Sequence, residues 1–210
     1  MQSAPRHQCL IYKGSPARHL PALAALVRQK LKERHRCLYL DSAPMVAGMR
    51  SYLAAAGIDV VREVDQGSLV LSSDRAHLEN GRFNAARMLH VLEDAVQAAL
   101  SEGYAGLWAT GDMTWELGPE KETRALLEYE WKLEEVFRRL PCLSGICQYH
   151  VDTLPENVAR AGLLTHRSVF INETLSRLNP NFVPRENYTA AAPLPELQDW
   201  MANLRECKSE

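Results

Sequence analysis

Short continuous apolar runs recur along this chain, and most are separated by stretches of helical period. "QCLIY" (Gln8 to Tyr12), "RCLYLD" (Arg36 to Asp41), "SLVLSS", "YAGLWAT" (Tyr104 to Thr110), "LSGICQY" (Leu143 to Tyr149) and "SVFI" (Ser168 to Ile171) all read as strands. Between them, apolar residues return every three or four positions, as at Leu20, Leu23, Ala24, Val27 and Leu31, or at Met88, Leu89, Leu92, Val96, Ala99 and Leu100. Strands that are apolar on both sides, alternating with helices, predict an α/β domain with three layers. Its central sheet is largely parallel, with helices on both faces.

Further helices are expected up to Ala56, with Ser42 as N-cap and Gly57 as stop, from Glu120 to Leu140, and from Pro155 to Leu164. "IDVVREV" reads as another strand, with Gln66-Gly67 suited to a hairpin turn before "SLVLSS". The Pro- and Asn-rich segment after residue 176 reads as a surface arm, with "LQDWMANL" as a short final helix. We therefore divide the chain into a domain at 1–184 and an arm with a short helix at 185–210.

A chain of 210 residues with 46% apolar and 24% charged residues can bury a substantial core. Its formal net charge is −2 and charges of both signs are interspersed, which argues against direct nucleic-acid binding. No run approaches the roughly 18 apolar residues of a membrane span. The start lacks the layout of a signal peptide, and we expect a cytoplasmic protein. Five cysteines without a CxxC pair point to free buried thiols.

In parallel sheets ligands bind beyond the carboxyl ends of the strands. That rule directs attention to Lys13 and Gly14, Asp41 and Ser42, Ser72 to Asp74, Thr110 to Trp115, and His150 to Thr153. In "ATGDMTWELGP" an acid, Asp112, follows a strand at once, where phosphate-handling enzymes keep a metal-binding carboxylate. The first loop, "YKGSPARHLPAL", however, contains no GxxxxGK[ST], and its prolines remove backbone donors that a phosphate cradle needs. We expect no nucleotide hydrolysis and no catalytic motif. Asp112 then lines or caps a pocket, or serves as a turn or cap residue, and Trp115 and Tyr149 form apolar wall or core.

Two other chemistries remain. His7 and Cys9 are two apart on a strand and so share a face; with Cys147 and His150 they are candidates for a metal or haem site. Glu130 falls within the apolar stripe of Leu126, Tyr129, Leu133 and Phe137. A carboxylate there either lines a pocket or bonds a backbone end or an Arg, and with Asp112 it could form an acid/base pair.

The ordered set "HQCLIYKG", "RCLYLD", "LENGRFNAARML", "GYAGLWATGDMTWEL", "LLEYEWKLEEVF", "CQYH", "THRSVFIN" and "NPNFVP" resembles the MEDS domain, the methanogen/methylotroph, DcmR sensory domain. The resemblance implies a sensory module similar to a RecA/KaiC-like P-loop fold that lacks the P-loop. It also implies small hydrocarbon derivatives as ligands and signalling partners of the histidine kinase, response regulator or anti-sigma type; the sequence itself requires no cofactor, and a homodimer is left open. Asp112 stands where the family usually has Glu, and His150 where it usually has an acid, changes that bear on ligand preference. The expected ligand-binding residues are Tyr12, Asp112, Trp115, Tyr149 and His150.

Overall fold

The apolar runs become parallel strands. A computed structural model describes residues 6–75, 78–117, 123–172 and 175–189, together with 196, 197 and 199. The elements are β1 (His7–Tyr12), α1 (Leu20–Lys32), β2 (His35–Leu40), α2 (Ala43–Ala55), α3 (Val60–Asp65) and β3 (Leu69–Ser72). A small hairpin, β4 (Leu78–Glu79) and β5 (Arg82–Phe83), leads into α4 (Ala85–Ser101). Then come β6 (Gly106–Asp112), the one-turn α5 (Met113–Glu116), α6 (Thr123–Arg139), β7 (Leu143–His150), α7 (Glu156–Thr165), β8 (Ser168–Asn172) and β9 (Leu175–Leu178).

The main sheet has the order β3-β2-β6-β7-β1-β8-β9. Its pairings are parallel except that of β9 with β8. Alternate residues of each strand enter separate cores. Leu10, Tyr12, Tyr39, Trp108 and Ile146 pack with Leu23, Val27, Met49 and Leu53 from α1 and α2. Cys9, Leu38, Leu107, Cys147 and Tyr149 pack with Leu92, Val96, Leu133, Phe137 and Val158 from α4, α6 and α7. This is the three-layer arrangement expected, and double-sided burial is why the strands read as unbroken apolar runs. Gly162 lets α7 lie directly on β7, since a Cβ there would overlap the ring of Tyr149.

Two local readings need correction. "IDVVREV" is not a strand: its centre is α3. The Asp59 carboxylate accepts the Arg62 N–H at 3.1 Å, and only Val60 of this helix is buried. Capping thus overrides the β-propensity of three valines. Gly67, at φ 73°, follows this helix instead of turning a hairpin, and β3 pairs parallel with β2. The hairpin lies at Asn80-Gly81, where φ values of 52° and 80° suit a tight two-residue turn. Ser42 is the N-cap of α2, as expected, without a side-chain bond to the helix; its N–H donates to Asp41 Oδ1 at 2.6 Å.

The start of the arm packs on α6. Trp131 Nε1 donates to the Val183 carbonyl at 3.2 Å, the Tyr188 ring meets Trp131 at 4.9 Å, and Arg185 pairs with Glu128 at 2.9 Å. The expected helix "LQDWMANL" lies outside the described residues apart from 197 and 199.

Candidate functional site

The carboxyl ends of β1, β2, β6 and β7 gather polar groups on the α1–α2 face. Tyr12 and His150 are register partners on neighbouring strands. Their rings stack at 4.8 Å and 7°. The Tyr12 hydroxyl donates a long bond of 3.4 Å to Asp112 Oδ2. Tyr39 donates to Asp41 Oδ2 at 2.8 Å. Asp152 Oδ2 accepts the Gly14 N–H at 2.8 Å and lies 3.7 Å from His150 Nε2, which has no hydrogen-bond partner. Burial, and then the neighbouring Asp112 charge, push the Asp41 carboxyl up to about 6. Burial also raises the Tyr12 and Tyr39 phenols, with Asp112 and Asp41 adding to it, so both remain donors.

Three expected residues, Tyr12, Asp112 and His150, therefore meet. All are buried, at 4%, 7% and 9% exposure, so the cluster is closed. Two open grooves among the described residues, of about 550 and 570 Å³, lie elsewhere. One is at the amino-terminal ends of the strands beside Arg6, His35 and Ser144; the other is at the Asn80 hairpin. Trp115 lies on α5, and its side chain is outside the described residues. Tyr149 does not join the group, because as the neighbour of His150 on β7 it points to the opposite face.

On that opposite face a second cluster forms around Glu130, which is fully buried. Its Oε1 accepts the Tyr149 hydroxyl. Its Oε2 lies 3.4 Å from His7 Nε2, 3.5 Å from His166 Nε2 and 3.8 Å from Cys147 Sγ. Among the described residues its partners are thus imidazoles, a phenol and a thiol, neither an Arg nor a backbone end. Burial works against a charged Glu130, but the His166 and His7 rings and the Tyr149 bond outweigh it and hold the carboxyl below its ordinary value. Burial pulls His7 down, yet Glu130 and Glu134 override it and its pKa is raised. Burial and then His7 lower His166 to about 4, leaving it neutral.

The metal candidates divide. His7 and Cys147 come together at 3.6 Å. Cys9 turns its thiol toward the Ser168 carbonyl at 3.7 Å, and His150 belongs to the other face. The pair Asp112 and Glu130 is divided by the sheet as well: Asp112 meets Tyr12, and Glu130 meets Tyr149. Sequence reasoning missed His166, Glu134 and Glu116. His166 stands at the entry to β8, away from the strand ends searched, and its one signal was its presence in "THRSVFIN". The buried Glu116 side chain folds over Gly111, where a Cβ would overlap it. Burial raises its carboxyl well above the ordinary value, and Glu130, Asp112 and Asp41 add to that.

Among the described residues no helix is long and apolar enough to cross a membrane. The chain is 28% identical over 165 residues to the transcriptional repressor DcmR of Methylorubrum extorquens (strain DSM 6343 / CIP 106787 / DM4). That match covers 78% of this chain and 59% of the repressor, so the chain corresponds to somewhat more than half of its relative. Residues 6–167 match the family described as MEDS, the MEthanogen/methylotroph, DcmR Sensory domain, and the chain belongs to this family.

Proposed function

We propose that the chain is the sensing element of a regulatory system. In this reading it is a non-catalytic domain that takes a small molecule at the carboxyl ends of its strands and passes that state to a partner protein. The observation that carries the reading is the Tyr12–His150–Asp112 group at the strand ends, which offers a phenol, an imidazole and a carboxylate within one buried setting. A compact molecule with one polar group, such as a small hydrocarbon derivative, would reach these groups by displacing the side chains that close the cluster. Membership of a sensory family and likeness to a transcriptional repressor support the regulatory half. The partner would be a histidine kinase, a response regulator or an anti-sigma-type module.

A melting-temperature screen with small alcohols, amines, halides and organic acids tests the reading. A ligand that binds only the folded state raises the midpoint, by about 2.7 kcal/mol of stability at a hundred times its dissociation constant. At least one class should shift the protein, and the shift should shrink in Tyr12→Phe and His150→Ala. A flat response across the panel would remove the ligand site. Turnover of a binder that stops in Asp112→Asn would replace a sensor with an enzyme.

A further inference from the structure

Four side chains from four separate segments converge beneath the α6–α7 layer. His7 comes from β1, Glu130 from α6, Cys147 from β7, and His166 from the link between α7 and β8. One donor atom from each lies within 4.8 Å of all the others, and all four residues are buried. The outer nitrogen of each imidazole is already engaged. His166 Nδ1 lies 2.6 Å from the Gly162 carbonyl, which can only accept, so Nδ1 carries the proton and Nε2 presents a lone pair. That Nε2 is buried, without a hydrogen-bond partner, and aimed into the cluster. His7 Nδ1 lies 3.0 Å from Glu134 Oε2, and Glu134 is held by Arg167 Nε at 2.9 Å. An imidazole fixed from behind by a carboxylate or carbonyl is the usual support of a metal-bound histidine.

The spacings agree. Tetrahedral coordination at ordinary zinc bond lengths gives ligand–ligand edges of about 3.4 Å between nitrogen and oxygen and about 3.6 Å where sulfur takes part. The distances found are 3.4 and 3.5 Å from Glu130 Oε2 to the two imidazole nitrogens. Those to Cys147 Sγ are 3.6 Å from His7 and 3.8 Å from Glu130. We propose that His7, Glu130, Cys147 and His166 form a closed, four-coordinate site for a divalent transition metal of the zinc class. Two imidazoles, one carboxylate and one thiolate satisfy a tetrahedral ion and leave no position for substrate, so the metal ties β1, α6, β7 and the α7–β8 link together. The site is independent of the carboxyl-edge ligand, since it lies across the sheet from it.

Cobalt(II) added to the full chain after chelator treatment is the direct probe. One equivalent should bind per chain, with strong tetrahedral d–d absorption and a thiolate-to-cobalt charge-transfer band, and zinc should displace it. X-ray absorption at bound zinc should find one sulfur among three lighter neighbours. Cys147→Ser should lose the charge-transfer band while Cys9→Ser keeps it. Glu134→Gln, which touches no metal, should weaken cobalt binding by about 10- to 100-fold and leave the band in place. Substoichiometric cobalt, an octahedral spectrum, a zinc shell without sulfur, or a band that survives Cys147→Ser would each overturn the proposal. The wild-type stoichiometry and zinc shell decide the matter even if a variant fails to fold.

Discussion

The two faces of one sheet carry two polar clusters that solve the problem of buried charge differently. On the α1–α2 face, Tyr12, Tyr39, Asp41, Asp112 and His150 sit at strand ends, where burial, and then the Asp112 charge, raise the Asp41 carboxyl to about 6. On the α6–α7 face, Glu130 sits behind the middle of the strands, where among the described residues two imidazoles, a phenol and a thiol meet its oxygens. Neighbours make the difference. Burial raises the Asp41 carboxyl and the Asp112 charge adds to it, whereas at Glu130 the imidazoles and the Tyr149 hydroxyl outweigh burial.

The largest test of this contrast is to remove the deep acid. Glu130→Ala strands His7 and Tyr149 without their common partner, and chemical denaturation should show a loss of about 3–5 kcal/mol. A loss no greater than that of Asp112→Ala would erase the distinction between the faces.

The strand-end face should show itself through pH. The folded chain holds the Asp41 proton up to about pH 6, whereas the carboxyl's ordinary value is 3.8. Across that window the unfolded state binds fewer protons. The contribution of Asp41 to stability is therefore greatest below it and falls as pH rises through it, by up to about 3 kcal/mol. The difference between wild type and Asp41→Asn, measured from pH 3 to 8, should carry that slope; a flat difference would place Asp41 in an ordinary setting.

Gly162→Ala should cost about 1–3 kcal/mol by driving a methyl group into the Tyr149 ring that holds Glu130. An unchanged midpoint would mean that α7 can slide on β7. The smallest expected effect is at the strand ends. A double-mutant cycle of Tyr12→Leu and His150→Ala should give a coupling of about 0.5–1.5 kcal/mol from the stacked rings. A coupling near zero would leave the pair as neighbours without interaction.

Sequence alone made the layers legible, because unbroken apolar runs separated by helical periods leave few alternatives. Helix phase placed Glu130 inward, and strand alternation put His7 and Cys9 on one face. The same alternation, applied to Tyr149 and His150, separates adjacent residues that the strand-end rule had grouped. The partners of Glu130 were not legible, since His7, Cys147 and His166 reach it only through pairings between distant strands. Local signals also failed where a cap outweighed propensity, as at Asp59. The partly exposed edge strand β9 presents no apolar run to read.

Glu130 and Trp131 are consecutive residues of α6. One faces the buried cluster and the other grips the Val183 carbonyl at the start of the arm. A rigid helix cannot turn at one of them without turning at the other. The charge state or occupancy of the cluster and the seating of the chain's exit are thus joined by a single peptide bond, and a displacement of α6 too small to disturb the sheet would still be handed to whatever follows residue 183.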